Sequence, residues 1–121
     1  MYSATLLDHF HHPRNVGEIA EASVIVEASN PVCGDLLKLW AVVRAGRIEE
    51  VKFKAAGCVP AVVCASWLTE AILSRPLDQL SALTADEVIS GLDGLPPASR
   101  HAAVLAVDAL KRLLEQIHKP R

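Results

Sequence analysis

The chain has 121 residues, of which 51% are apolar and only 4% aromatic, and its formal net charge is -2 with basic residues scattered among acids. These totals predict one globular domain over residues 1–121 with an aliphatic core, and they argue against a nucleic-acid partner. No segment approaches the roughly 18 to 20 apolar residues of a membrane span, and no basic flank precedes an apolar run at the N-terminus, so we expect a cytoplasmic protein with no membrane partner.

A helix and a strand are predicted in the first quarter of the chain. Residues 3–12 carry apolar side chains at helical spacing behind Ser3, a suitable N-cap, and Pro13 ends the segment. Apolar and other residues then alternate over 24–29, which predicts a strand that runs into the turn-rich residues 30–35.

Two further strands follow at residues 36–44 and 48–55, joined by the compact connection Ala45-Gly46. In the second, Ile48, Val51 and Phe53 are predicted core residues. Three sequential strands with short connections imply an antiparallel sheet, and one of its faces must be covered by other elements.

The second half of the chain supplies helices to cover the sheet. Pro60 suits the first helical position of a helix over 61–73. Thr84 and Glu87 form a capping box for a short helix that ends at Gly91, and a rigid Gly and Pro connector follows. A last helix is predicted by apolar residues repeating every three or four positions from Ala103 to Ile117. The order predicts an α+β sandwich.

Three cysteines at irregular spacing argue against a disulfide framework, so the thiols are expected to be reduced. Cys33 lies in a Gly-flanked turn between two strands, and Cys58 follows Gly57 where the third strand meets a helix. The partial positive charge of a helix N-terminus should make Cys58 lose its proton more readily than a free thiol. Thiolate is the form that binds metal.

Asp35 and His101 are the candidate partners of these thiols. Asp35 shares one side of an extended segment with Cys33, and His101 near the start of the last helix could reach over the end of the sheet. Cys33, Asp35, Cys58 and His101 would form a tetrahedral set for zinc, or an iron site with labile ligands. Structural alternatives stay open: a buried cysteine is a small hydrophobe, an aspartate after glycine forms a turn, and a histidine at a helix end is often structural.

The remaining cysteine and the N-terminal histidines are assigned structural positions. Cys64 lies about 9 Å along a helix from Cys58 and in line with Leu68, so we expect a core residue. His9 and His12 share a helix face that has no obvious acid or thiol partner. We therefore expect the cluster of His9, His11 and His12 at the surface.

Several motifs in order resemble the U-type scaffold family of iron–sulfur cluster assembly, the IscU and NifU N-terminal type. The resemblance is collinear from about residue 2 to residue 115. Its motifs are Asp8-His9-Phe10, Pro13-Arg14-Asn15-Val16-Gly17, Asn30-Pro31-Val32-Cys33-Gly34-Asp35, Gly57-Cys58, and Leu95-Pro96-Pro97 with His101 behind it.

This resemblance implies a three-stranded antiparallel sheet with helices on one side and a partly open site at the end of the sheet. Cys33, Asp35, Cys58 and His101 fall on the family's ligand positions. A cysteine desulfurase would deliver sulfur, iron would be added, and a [2Fe-2S] cluster would pass to acceptor proteins; such scaffolds also bind zinc. The chain would then be a non-enzymatic U-type scaffold domain, acting as a monomer or weak homo-oligomer.

Two substitutions depart from the family pattern. Ala102 stands where the family has its third cysteine, so a cluster would need His101 and Asp35, or a second subunit, to complete its ligands. Ala98-Ser99 replaces an apolar residue and a lysine of the chaperone-recognition sequence, which argues against docking of a dedicated Hsp70-type chaperone. The residues at 59–61 are stiffer and more apolar than the small residues that the family usually has there. The chain also lacks an insertion found in the zinc-dependent branch of the family, which argues against membership of that branch.

Three hypotheses follow. The first is a scaffold or carrier for an iron–sulfur cluster or its precursors. The second, favoured by Ala102, is a zinc-binding sulfur-relay or regulatory protein of the same fold. The third is an interaction module that has lost its chemistry, against which the retained Cys33, Asp35 and Cys58 argue; desulfurase binding that survives replacement of both cysteines would support it.

Overall fold

A computed structural model of the chain describes residues 2–31 and 34–118, and within them one helix precedes three strands and a set of helices. The elements are α1 (Ala4–His11), β1 (Val24–Asn30), β2 (Asp35–Arg44), β3 (Arg47–Ala56), α2 (Val59–Leu73), α3 (Leu77–Leu80), α4 (Ala85–Gly91), a 3₁₀ turn (Pro97–Ser99) and α5 (Arg100–His118). The predicted α+β class is confirmed. Among the described residues, no helix combines the length and the apolar character that crossing a membrane requires.

The three strands form one antiparallel sheet in the order β1-β2-β3. Asn30 faces Asp35 where β1 meets β2, and Leu36 faces Ala56 at the same end of the sheet. Ala45 and Gly46 both have positive φ, 51° and 75°, as the two-residue turn that matches strand twist requires. The predicted hairpin is confirmed, and this register brings the start of β2 beside the end of β3.

One face of the sheet carries the core. α2 packs on β3, α5 packs on β1 and β2, and the two helices contact each other. The inward-facing residues of β2 and β3 are at most 1% exposed: Leu37, Leu39, Ala41, Val51 and Phe53. The helices therefore cover one side, as the family resemblance implied, and the core is mainly aliphatic.

The opposite face of the sheet lacks this helical cover. Ile25 is 52% exposed there, and its register partner is Trp40. Trp40 itself is buried, and the ammonium group of Lys38 lies 5.0 Å from its ring centre, within reach of a cation–π interaction. Charged and apolar side chains thus mix on this face.

The helical boundaries differ slightly from those predicted. α2 begins at Val59, so Pro60 is its second residue instead of its first. The hydroxyl of Thr84 accepts the backbone N–H of Glu87 at 3.2 Å, and α4 ends at Gly91, as the capping box predicted. The short helix α3 was not predicted, because four residues are too few for an apolar periodicity to develop.

His9 anchors α1 to α2, and its predicted surface position is wrong. The side chain is buried, with Nδ1 2.7 Å from the hydroxyl of Ser66 and Nε2 3.5 Å from Oε1 of Glu70. The Ser66 hydroxyl also accepts the backbone N–H of Arg14 at 2.9 Å. Ser66 and Glu70 lie more than fifty residues from His9 in sequence, so the apolar pattern of α1 could not reveal these contacts. His11 and His12 are exposed, as predicted.

Burial of His9 makes the fold sensitive to mild acid. Desolvation, and secondarily the positive charge of Arg14, lower the pKa of His9 below its usual 6.5. As pH drops below about 6.5, His9 therefore takes up a proton more readily in the unfolded chain than in the folded chain. The free energy of unfolding falls as a result. The loss from this one group cannot exceed about 1.4 kcal/mol per pH unit.

His9→Asn should remove that part of the pH dependence, since asparagine can keep a hydrogen bond to Ser66 but does not titrate. Urea unfolding of both proteins at pH 7.5 and 5.5 measures it. We expect the wild type to lose more stability than the variant between the two pH values. Equal losses would show that another group causes the acid sensitivity.

Candidate metal centre

Three side chains from distant parts of the sequence meet at the end of the sheet. Asp35 is the first residue of β2, Cys58 caps the N-terminus of α2, and His101 is the second residue of α5. Cys58 Sγ lies 3.4 Å from Asp35 Oδ2 and 3.9 Å from His101 Nε2, and Nε2 lies 3.3 Å from Oδ2. The fourth predicted ligand, Cys33, lies outside the described residues.

Asp35 is held by the start of α2. Its side chain is almost fully buried, and Oδ1 accepts the backbone N–H of Cys58 at 3.1 Å. Gly57, with φ of 134°, leaves the space for this carboxylate, because a Cβ there would lie 2.0 Å from Oδ1. Oδ1 is thereby tied to the helix, while Oδ2 faces the sulfur and the imidazole.

The backbone orients the His101 ring. Nδ1 lies 3.1 Å from the carbonyl oxygen of Ala98, and because a carbonyl can only accept, Nδ1 is assigned the proton. The other ring nitrogen, Nε2, lies 3.3 Å from Oδ2 of Asp35. Sequence reasoning missed the role of Ala98, since a backbone carbonyl leaves no signal in the side-chain pattern.

These three groups have the donor chemistry of a transition-metal site. Carboxylate oxygen, cysteine sulfur and imidazole nitrogen are all zinc and iron ligands, and they lie close enough to share one ion. The hydrogen bonds from Cys58 N–H to Asp35 and from His101 to Ala98 fix two of the three groups, as outer contacts of metal ligands usually do.

The predicted acidity of the Cys58 thiol is wrong. Burial raises the pKa of Cys58, and the hydrogen bond to Asp35 and its negative charge raise it further. Backbone N–H groups at the helix start lower it, but their effect does not prevail. Cys58 is therefore a protonated thiol at neutral pH, and a metal must displace its proton to bind.

Cys64 lies in the core, as predicted. It is fully buried, and burial raises its pKa to about 12. It packs in the hydrophobic core and offers no ligand to the site.

Alkylation should separate these two cysteines in the native protein. Iodoacetamide at pH 8 should modify half-buried Cys58 slowly, through the small fraction of thiolate that its raised pKa leaves, while Cys64, buried and with its pKa raised to about 12, remains unmodified until the protein is unfolded in urea. Peptide-resolved mass spectrometry reads each site separately. Modification of Cys64 at the rate of Cys58 in buffer would contradict its burial.

Ala102 faces the core. It is 1% exposed and belongs to the hydrophobic cluster. The residue after His101 therefore contributes a buried methyl group and no metal ligand.

Comparison with known proteins identifies the family. The model of the NifU-like N terminal domain matches residues 1–119. The chain is 40% identical over 114 residues to the iron-sulfur cluster assembly scaffold protein IscU 1 of Archaeoglobus fulgidus, covering 94% of this chain and 74% of that protein. It is 34% identical over 124 residues to the scaffold protein IscU of Escherichia coli, covering 99% and 96%.

Solved structures agree on the fold. The crystal structure of a nitrogen-fixing NifU-like protein (N-terminal) from Brucella abortus superposes with a TM-score of 0.78 at 17% identity, covering 98% of this chain and 95% of that one. At this identity the likeness concerns the fold alone. Family model, relatives and fold agree, and the chain belongs to the NifU-like N-terminal domain family, which includes the IscU scaffold proteins.

Proposed function

We propose that this chain is an iron–sulfur cluster assembly scaffold that receives sulfur from a cysteine desulfurase, binds iron, and holds a [2Fe-2S] cluster for transfer. The observation that carries the proposal is the convergence of Asp35, Cys58 and His101 at the end of the sheet. Membership in the family of the IscU scaffolds supports it. The chain would act as one domain over residues 1–121, by binding and transfer without turnover.

The ligand set proposed for the cluster is Cys33, Asp35, Cys58 and His101. Two thiolates, a carboxylate and an imidazole can satisfy the four terminal positions of a [2Fe-2S] cluster. Oxygen and nitrogen ligands hold such a cluster less firmly than four thiolates would. This mixed set suits a protein that must release its cluster to acceptor proteins.

Sulfur receipt is proposed to occur on Cys58, with Cys33 as the second acceptor. The Cys58 sulfur attacks the terminal sulfur of the cysteine persulfide on the donor, a new S–S bond forms on Cys58, and the donor's S–S bond breaks. The proton of the Cys58 thiol ends on the departing donor thiolate, so the exchange involves no net oxidation. Asp35 Oδ2 and His101 Nε2, 3.4 and 3.9 Å from the sulfur, can hold that proton in transit.

The test is reconstitution with ferric iron and inorganic sulfide without oxygen, followed by metal and sulfide analysis and visible absorption. The wild type should bind iron and sulfide in near-equal amounts, and Cys58→Ala and Cys33→Ala should lose the coloured species. Cys64→Ala is the matched control, since it removes a thiol from the core and none from the site. Unchanged absorption in Cys58→Ala would refute the assignment.

A zinc-binding sulfur-relay or regulatory protein is the second candidate. The buried methyl of Ala102, where the family has a third thiolate, favours it, because Cys33, Asp35, Cys58 and His101 alone make a tetrahedral zinc set. Stoichiometric zinc without sulfide in the purified protein would establish this candidate in place of the first.

The remaining features of the proposal follow the same reasoning. We place the protein in the cytoplasm, with a cysteine desulfurase and iron–sulfur acceptor proteins as partners and no nucleic acid. A dedicated Hsp70-type chaperone is not among them. The segment Ala98-Ser99 lies in the 3₁₀ turn, and the Ala98 carbonyl is engaged by His101.

A further inference from the structure

A proline stands two positions after Cys58, at the start of the helix that this cysteine caps. Cys58 is the N-cap of α2, and Val59, Pro60 and Ala61 are the first three residues of that helix. These are also the residues that depart from the small ones usual in the family. Because proline has no backbone N–H, the second position of α2 offers no hydrogen-bond donor at the helix start.

Two other helices of the chain show how such donors are used. An N-cap side chain accepts a hydrogen bond from the N–H of the second or third helical residue. The hydroxyl of Ser3 accepts from Leu6 N–H at 3.0 Å, and the hydroxyl of Thr84 accepts from Glu87 N–H at 3.2 Å. In α1 and α4 the N-cap side chain therefore bonds the third residue of its helix.

The sulfur of Cys58 differs from these caps. The N–H of Ala61, the third residue of α2, donates to the carbonyl oxygen of Cys58 at 3.1 Å, and within the described part of the chain the Cys58 side chain accepts no capping hydrogen bond. The polar groups that face the sulfur are the Asp35 carboxylate and the His101 imidazole, at 3.4 and 3.9 Å. With proline at the second position, a thiolate here has one backbone donor fewer than a helix start can supply.

We propose that Pro60 weakens the hold of Cys58 on a metal ion or cluster, because it withholds a backbone N–H that would bond the coordinated sulfur. Hydrogen bonds from N–H groups stabilise the charge of a thiolate, and those to cluster sulfurs help set the reduction potential. Pro60 binds no metal itself and acts through Cys58. The inference deepens the proposed function and rests on it for its purpose, since a scaffold must release what it binds.

The test restores the missing N–H. Pro60→Ala and Pro60→Val both do so, and valine also keeps a branched apolar side chain at this buried position. Competition titration with zinc should show both variants binding about tenfold more tightly than the wild type, the effect of one hydrogen bond to a charged group. In the cobalt-loaded variants the thiolate-to-cobalt charge-transfer band should move to shorter wavelength, because the hydrogen bond lowers the energy of the sulfur lone pair.

A purely structural role for the proline predicts the opposite sign. Loss of the ring would then loosen the start of α2, so zinc affinity would fall and the cobalt band would not move to shorter wavelength. Pro76→Ala is the matched control. Pro76 is the N-cap of α3, and the next residue, Leu77, donates its N–H to the Gly46 carbonyl at the far end of the sheet from the centre. This control should bind zinc as the wild type does.

The outcomes separate the inference from the proposed function. Zinc affinity at or below the wild-type value in both Pro60 variants would overturn the inference and leave the scaffold proposal intact. After reconstitution with iron and sulfide, the variants should have a less negative reduction potential and hand their cluster to an apo-ferredoxin more slowly. Handover at the wild-type rate would overturn the role of Pro60 in release. If the wild type fails reconstitution, the scaffold proposal falls, while tighter zinc binding by the variants would still support the effect of Pro60 on the centre.

Discussion

Gly57→Ala should weaken metal binding at the candidate centre by about 10- to 100-fold, the range seen when contacts that orient metal ligands are lost. An added Cβ would lie 2.0 Å from Oδ1 and 2.9 Å from Cγ of Asp35. Asp35 is buried and cannot swing into solvent, so its carboxylate must give up the 3.1 Å hydrogen bond from Cys58 N–H. The displaced carboxylate then no longer faces the sulfur and the imidazole together.

Gly17→Ala is the matched control for backbone strain. Gly17 has φ of 138°, close to the 134° of Gly57, but its added Cβ would meet only the Lys52 side chain at an ordinary 3.6 Å. Competition titration with zinc or cobalt measures affinity, and urea unfolding reports stability. We expect both variants to lose stability from backbone strain, Gly57→Ala to lose more because of its clash with Asp35, and only Gly57→Ala to lose metal affinity. Equal affinity in both would mean that the Asp35 carboxylate does not bind metal.

Phe53→Ala should cost about 3–5 kcal/mol of the free energy of unfolding, because it removes a large side chain from a closely packed core. Phe53 is 1% exposed and faces the helices from β3. Its backbone also pairs with the segment after α1: its N–H donates to the carbonyl of Asn15 at 2.8 Å, and its carbonyl accepts from Gly17 N–H at 2.9 Å. A cavity at this position loosens the sheet and the N-terminal segment at once.

Urea unfolding with Ile25→Ala as the comparison tests this expectation. Ile25 belongs to the same sheet but is 52% exposed, so its truncation should change stability by no more than about 0.5 kcal/mol. The urea midpoint of Phe53→Ala should fall while the slope m stays unchanged. If Phe53→Ala lost no more free energy of unfolding than Ile25→Ala, the core would have to close the cavity left by the missing ring.

Local patterns predicted the elements because they depend on neighbours in sequence. The strand predicted at 36–44 spans Asp35–Arg44, and the helix predicted at 61–73 spans Val59–Leu73. Alternation, helical spacing and turn residues carry this information within a few positions of each residue. Motif positions likewise indicated Asp35, Cys58 and His101 as partners, which come within 3.9 Å of one another.

Contacts between distant segments decided the rest. His9 looked like a surface residue by its own helix, yet Ser66 and Glu70 of α2 surround it. Cys58 sits where a helix N-terminus favours a thiolate, yet burial and the Asp35 carboxylate raise the pKa of its thiol. The sequence alone thus determined the three strands, the longer helices, their order and the family motifs. Burial, charge and ligand geometry depend on groups far away along the chain, and only the tertiary structure brings those groups together.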